Sequence, residues 1–177
     1  MADHDTSGLA AGDPEAFAAL YDRLAARLLA TVRTLGGSRA EAEDVVHDLF
    51  VDLARFRSGL AGVADIDAYV FTMLRHALSR RRRRGAVARR VLGTIAHQRG
   101  DGSVPPAATA DDELAAAVAR LPVPQREVLA LKIDGGLTFA EIATVLGASL
   151  NTVASRYRYA IDKLRVALGH RQEEVRR

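Results

Sequence analysis

The chain contains no cysteine and no tryptophan. Without thiols there is no disulfide staple and no thiolate metal site, so the fold has to be held by packing. Aromatic residues make up only 5% of the 177 residues, although hydrophobic residues make up 49%. Much of that content is Ala and Leu, which favours helix on helix packing over sheets. The five histidines lie far apart and form no HExxH-like ligand pair, so neither a metal nor another cofactor is expected. No apolar run approaches the roughly 18–20 residues of a membrane span. The first ten residues hold two aspartates and no Lys or Arg, unlike a secretory signal. These absences predict an intracellular, cytoplasmic protein without a membrane partner.

Lysine is scarce as well, with only Lys132 and Lys163 among 25 basic residues. The net charge of +3 hides a strong asymmetry. Nine arginines and no acid lie between Arg75 and Gly100, including the run Arg80 to Arg84, whereas acids are frequent from Asp13 to Asp52. A solvated face is the plain reading of a charge run. The separation of signs points instead to two partner surfaces, one for a polyanion and one for a basic or polar protein surface.

Helical periodicity runs through the chain and no strand pattern persists. Asp13-Pro14-Glu15 reads as an N-cap, a Pro at the first helical position and an acid in the first turn. Phe17, Leu20, Tyr21, Leu24, Leu28, Val32 and Leu35 then follow at three- and four-residue steps as an inward stripe. Ser38 to Glu41 is a capping box opening a second helix with Val45, Val46, Leu49, Phe50 and Leu53 inward. A small-residue loop, Ser58 to Asp65, precedes a third helix from about Asp67 to Arg84. "HQRGDGSVPPAATA" has the composition of a linker. Beyond it, Asp111 or Asp112 is expected to cap a short helix. Pro122 and Pro124 end that helix and start another carrying Val128, Leu129 and Ile133. Thr138 to Glu141 is a second capping box. The fold class is therefore all-α, with two small helical domains: an N-terminal bundle over 10–90, a flexible linker over 91–110 and a C-terminal unit over 111–170.

Within that second unit, a helix, a turn at Gly147 and a longer helix capped by Ser149 have the spacing of a helix-turn-helix. Ala143 is small where the two helices cross, and Val153 is placed to lock the second onto the first. Asn151, Thr152 and Ser155 then offer short hydrogen-bonding side chains at the start of a helix able to enter a major groove, with Arg156 and Arg158 on its flanks. At 100° per residue, Tyr157 joins Val153, Ile161 and Leu164 on the inward stripe, whereas Tyr159 faces outward with Thr152 and Ser155. An ordinary buried helical hairpin shares the same glycine turn and caps.

Taken together, "LPVPQREVLALKIDGGLTFAEIATVLGASLNTVASRYRYAIDKLR", "EAEDVVHDLFVDLARF" and "DAYVFTMLRHALSRRRRR" resemble extracytoplasmic-function (ECF) sigma factors of bacterial RNA polymerase. The resemblance covers about residues 10–84 and 111–168, as that family's second and fourth regions in the expected order. It implies a non-enzymatic subunit that binds core RNA polymerase and directs it to promoter DNA. The polymerase surface would include Asp44, His47, Asp48 and Asp52 on the second helix. Minus-ten contacts would come from Tyr69, Arg75, His76, Arg80, Arg81, Arg82, Arg83 and Arg84, with one extruded base held near the loop Ser58 to Asp67. Tyr69 is equally readable as a core aromatic. Minus-thirty-five contacts would come from Asn151, Thr152, Ser155, Arg156, Arg158 and Tyr159, with Arg126 and Lys132 either on the DNA backbone or merely solvated. The chain departs from the family pattern at Tyr69, where a Trp is usual, at His76 for Asn, at Arg80 for Asp and at Ala154 for Lys, so the family's base preference does not transfer. Members of the family are often held by an anti-sigma factor, a further expected partner. The alternative is a stand-alone helix-turn-helix regulator, which would have no use for the acidic second helix. An enzyme would need a carboxylate cluster, a metal motif or a glycine-rich phosphate loop, and none is found.

Overall fold

The computed structural model describes residues 6–91 and 110–175, with side chains at 6–84 and 111–169. The described residues form helices throughout: α1 (Ser7–Ala11), α2 (Pro14–Thr34), α3 (Arg39–Arg55), a 3-10 turn (Arg57–Leu60), α4 (Ile66–Val91), α5 (Ala110–Ala119), α6 (Val123–Ile133), α7 (Phe139–Leu146) and α8 (Leu150–Val175). The expected linker lies outside the described residues, apart from its two end residues, which close α4 and open α5.

Local chemistry sets most of the boundaries. Asp13 accepts the Glu15 N–H at 3.0 Å, with Pro14 at the first position of α2. Both capping boxes close: Ser38 with Glu41 on α3, and Thr138 with Glu141 on α7. In each box the hydroxyl satisfies one orphan helical N–H and the carboxylate satisfies another. α4 begins one residue earlier than expected and runs seven residues further, to Val91. Asp111 and Asp112 lie in the first turn of α5, which begins at Ala110. They therefore face the positive end of the helix dipole from within the helix.

The first unit packs α2 against α3, and α3 against α4. Leu24, Leu28, Val32, Val45, Val46, Leu53, Phe71 and Leu74 are at most 2% exposed and form its centre. Two residues of the expected stripes point elsewhere. Tyr21 is exposed and stacks edge-to-face on Phe50, with ring centroids 4.9 Å apart. Ile133, the last residue of α6, is exposed too. α1, which has no counterpart in the periodicity reading, buries Leu9 in the same core.

In the second unit α8 packs on α5, α6 and α7. The two units are themselves docked: α7 lies on α4 and α6 on α2, so Leu131, Ile142, Val145 and Leu146 join one cluster with Leu28, Phe71 and Leu74. Arg27 ties this junction. Its guanidinium donates to Asp67 Oδ2 at 2.9 Å and to the Gly135 carbonyl at 2.9 Å, while Arg23 pairs with the other Asp67 oxygen. The Arg27 carbonyl in turn accepts from Thr31, the buried polar side chain of α2, at 2.8 Å.

Candidate nucleic-acid and protein interfaces

The turn between α7 and α8 is built on Gly147, whose φ of +60° lies in the left-handed region that glycine enters without a Cβ penalty. The Ala148 N–H then reaches back to the Ala143 carbonyl at 3.0 Å, closing the end of α7. Ser149 starts α8 by accepting the Thr152 N–H at 3.1 Å, and its hydroxyl lies 2.8 Å from the Thr152 hydroxyl. Val153 is fully buried and fixes the angle between the two helices. The outer face then leaves Asn151, Arg158 and Tyr159 exposed, with Thr152, Ser155 and Arg156 half-exposed beside them.

The two tyrosines separate as the helical phase predicts. Tyr157 is half-buried, edge-to-face with Phe139 at 5.3 Å, and touches both hydrophobic clusters found among the described residues. Tyr159 is 55% exposed, with the Arg158 guanidinium 5.8 Å from its ring centre. Lys132 and Arg126 are occupied within the fold. Lys132 donates to the Leu137 carbonyl at 3.0 Å beneath the Phe139 ring, and Arg126 donates to the Ala119 carbonyl at 2.9 Å. Arg126 thus caps the end of α5, and Lys132 ties down the loop between α6 and α7.

On α4, Tyr69 is 36% exposed, His76 is exposed and Arg75 is half-exposed. Arg80 to Arg84 are exposed, but not all are free. Arg81 pairs with Asp48 on α3 at 3.2 Å, and Arg82 reaches Glu127 on α6 at 3.7 Å and the Leu35 carbonyl at 3.4 Å. Arg75, His76, Arg82 and Arg83 line a cleft of about 250 Å³ between the two docked units, opposite Glu127, Leu131 and Leu146. The second unit therefore stands over part of the arginine-rich face of α4.

The acidic face of α3 is presented outward: Asp44, His47 and Asp48 are exposed and Asp52 is half-exposed. His47, Asp48 and Asp52 share a groove with Arg80, Arg81 and Arg84 of α4. The expected protein surface and the expected minus-ten surface thus meet along one seam, with the Asp48–Arg81 pair across it. At the start of α3 the Glu41 carboxyl is held below its ordinary range, first by the Ser38 backbone N–H and then by the Ser38 hydroxyl. Arg39 is pushed up by its hydrogen bond and charge pairing with Glu43.

Sequence reasoning missed the hub of Arg23, Arg27 and Asp67. Its members lie 40 and 44 residues apart, and Arg27 is 108 residues from Gly135. No local pattern announces such a contact. Among the described residues there is no cluster of His, Cys, Asp or Glu able to hold a metal, and no helix long and apolar enough to cross a membrane.

Residues 20–88 match the family model for Sigma-70 region 2, and residues 111–164 match that for Sigma-70, region 4. The chain is 33% identical over 172 residues to the ECF RNA polymerase sigma factor SigL of Mycobacterium tuberculosis, covering 92% of this chain and 94% of that protein. It is 31% identical over 164 residues to the ECF RNA polymerase sigma factor SigK of Mycolicibacterium vanbaalenii, covering 89% and 84%. Two solved structures share the fold. One is CnrH in complex with the cytosolic domain of CnrY, with TM-score 0.71 and 23% identity over 95% of this chain and 97% of that one. The other is the sigma factor RpoE of Bartonella quintana in complex with the anti-sigma factor NepR, with TM-score 0.70 and 22% identity over 86% and 96%.

Proposed function

The chain belongs to the ECF RNA polymerase sigma factors, and we propose that it binds core RNA polymerase and directs it to specific promoters. The observation that carries this reading is the presence of both sigma units, in order, on one chain. The first pairs an acidic helix with an arginine-rich one, and the second presents a helix-turn-helix. A stand-alone regulator would account for the second unit and leave the first without a role.

In this reading the acids of α3, Asp44 and Asp48 foremost, meet a basic polymerase surface, where opposite potentials steer and register the encounter. The arginines of α4 hold promoter backbone, and the loop before α4 receives an unstacked base at the minus-ten element. Asn151, Thr152, Ser155, Arg156, Arg158 and Tyr159 face the minus-thirty-five duplex: the short polar groups reach base edges and the arginines reach phosphates. The chain performs no bond chemistry of its own, because nucleotide transfer belongs to the polymerase. It acts in the cytoplasm, with 10–90 and 111–170 as its two working domains, and an anti-sigma factor is the partner expected to hold it inactive.

The test is transcription from a supercoiled promoter library by purified core polymerase. Addition of the chain should yield specific starts, and Asp44→Arg with Asp48→Arg should abolish core binding in a pull-down while leaving helicity intact. A wild-type chain that shifts duplex DNA alone and ignores core polymerase would overturn the proposal in favour of a stand-alone regulator.

A further inference from the structure

Arg75, Ser79, Arg82 and Arg83 stand at positions i, i+4, i+7 and i+8 of α4 and so share one helical face. All of them line the cleft between the docked units. Its other walls are Leu35 at the end of α2, Glu127 and Leu131 of α6, and Leu146 of α7. The cleft thus sets a cationic side against a mostly apolar one, and both units of the chain build it.

The charges on the cationic side are unevenly answered. Arg82 reaches Glu127 at 3.7 Å and the Leu35 carbonyl at 3.4 Å. Glu127 is the one acid among the lining residues. Arg75 and Arg83 have no hydrogen-bond or ion-pair partner among the described residues. Like charges on one helix face repel, so the fold gains nothing from leaving this pair unanswered. Beside an apolar wall, two such guanidiniums attract an anion more strongly than they would in open water.

The cavity measures about 250 Å³, room for about eight waters at about 30 Å³ each. That suits a phosphate head on a compact apolar body. A phosphate monoester dianion matches the two unanswered guanidiniums in charge, and arginine holds such a group by paired hydrogen bonds. The Ser79 hydroxyl, between the two arginines along the helix, supplies a further donor. Leu35, Leu131 and Leu146 supply the apolar surface for the body.

We propose that this cleft is a binding site for a small organic phosphate, and that the bound molecule clasps the two units together. A ligand that touches α4 together with α6 and α7 binds the docked arrangement better than a separated one, and so shifts the population toward it. The site stands on the geometry alone. Its consequence rests on the sigma reading above: an occupied cleft withdraws Arg75 and Arg83 from promoter backbone and opposes engagement of the polymerase. A DNA phosphate is the competing anion for these arginines. The apolar wall facing them favours a molecule with a body of its own.

Isothermal titration of the full-length chain with phenyl phosphate, at fixed ionic strength, tests the site without polymerase. Saturable binding is expected, about ten-fold or more tighter than for inorganic phosphate, which lacks the body, and for phenol, which lacks the head. Arg75→Ala with Arg83→Ala should weaken it about ten-fold or more. Arg80→Ala with Arg84→Ala removes the same charge from the groove shared with α3 and should leave the affinity near wild type. Ser79→Phe fills the cleft and keeps every charge; it should abolish binding at native helicity by far-UV circular dichroism. Equal affinity for phenyl phosphate and inorganic phosphate would overturn the site, and so would equal losses in the two arginine pairs, since either makes this face an unselective cationic patch. For the clasp, saturating phenyl phosphate should weaken binding to core polymerase about ten-fold, and Ser79→Phe should remove that dependence. Unchanged core affinity at saturation would overturn the clasp. A chain that binds phenyl phosphate but never core polymerase would sink the sigma reading and leave the site standing.

Discussion

Tyr157 and Tyr159 are two residues apart on one helix, one turned to the core and the other to solvent. Tyr157 packs against both hydrophobic clusters and meets Phe139 edge-to-face. Removing a fully buried large aromatic side chain costs about 3–5 kcal/mol. Tyr157 is only half-buried, which scales that term to about 1.5–2.5 kcal/mol, and loss of the aromatic pair adds about 0.5–1 kcal/mol. Tyr157→Ala should therefore destabilise the chain by about 2–3.5 kcal/mol. Tyr159→Ala, at an exposed position, should fall within about 0.5 kcal/mol of wild type. Urea unfolding followed by far-UV circular dichroism separates these cases, and it suits a chain that has no tryptophan to report by fluorescence. In thermal melts the Tyr157 loss corresponds to a drop of about 4–14 °C for a protein of this size. DNA binding should show the reverse order: Tyr159→Ala weakens affinity for the minus-thirty-five duplex at unchanged stability. Equal stability losses in the two variants would refute the helical phase assigned to α8 and the division of its faces.

Promoter affinity of the holoenzyme should fall steeply with salt, and Arg80→Ala, Arg83→Ala and Arg84→Ala together should reduce the log–log slope by about 2–3; an unchanged slope would make these arginines bystanders. Because the Glu41 carboxyl is held below its ordinary range, its contribution is complete above the usual glutamate value and fades as pH falls through the lowered one. Melting temperatures of wild type and Glu41→Gln should therefore differ at neutral pH and converge in acid, and a constant gap would contradict the cap. Arg27→Ala removes the donor to the Gly135 carbonyl while Arg23 still serves Asp67. It should cost about 1–3 kcal/mol, and an unchanged urea midpoint would show that water replaces it freely.

The features legible in the sequence are those whose physics is local. A capping box needs a hydroxyl and a carboxylate three residues apart, so Ser38 with Glu41 and Thr138 with Glu141 could be read directly. The left-handed turn at Gly147 and the inward phase of Val153 and Leu164 could be read the same way. Features that depend on distant partners could not. α1 buries a single leucine, too little for any periodicity. Tyr21 fits the inward stripe by spacing, yet finds Phe50 on the outside of the bundle. Lys132 and Arg126 look like free cations until the carbonyls they serve are seen. For the candidate interfaces, sequence placed the acids and arginines on the correct helices. It could not show that Asp48 and Arg81 pair across one groove, or that Glu127 answers Arg82.

Helices that share a core lie only about 8–10 Å apart axis to axis, and here α4 shares its core with α7 of the other unit. Two promoter elements centred about 25 base pairs apart are separated by roughly 85 Å of duplex at about 3.4 Å per step. A folded ruler of that kind cannot measure both marks at once. If the two units read elements that far apart together, as proposed, α7 has to leave α4, which separates Phe71 and Leu74 from Ile142 and Leu146. The oily surface uncovered by that step has to be covered again by something large. Unclasping and mounting on the polymerase would then be a single event, in which the free chain's own compactness sets the threshold for engagement.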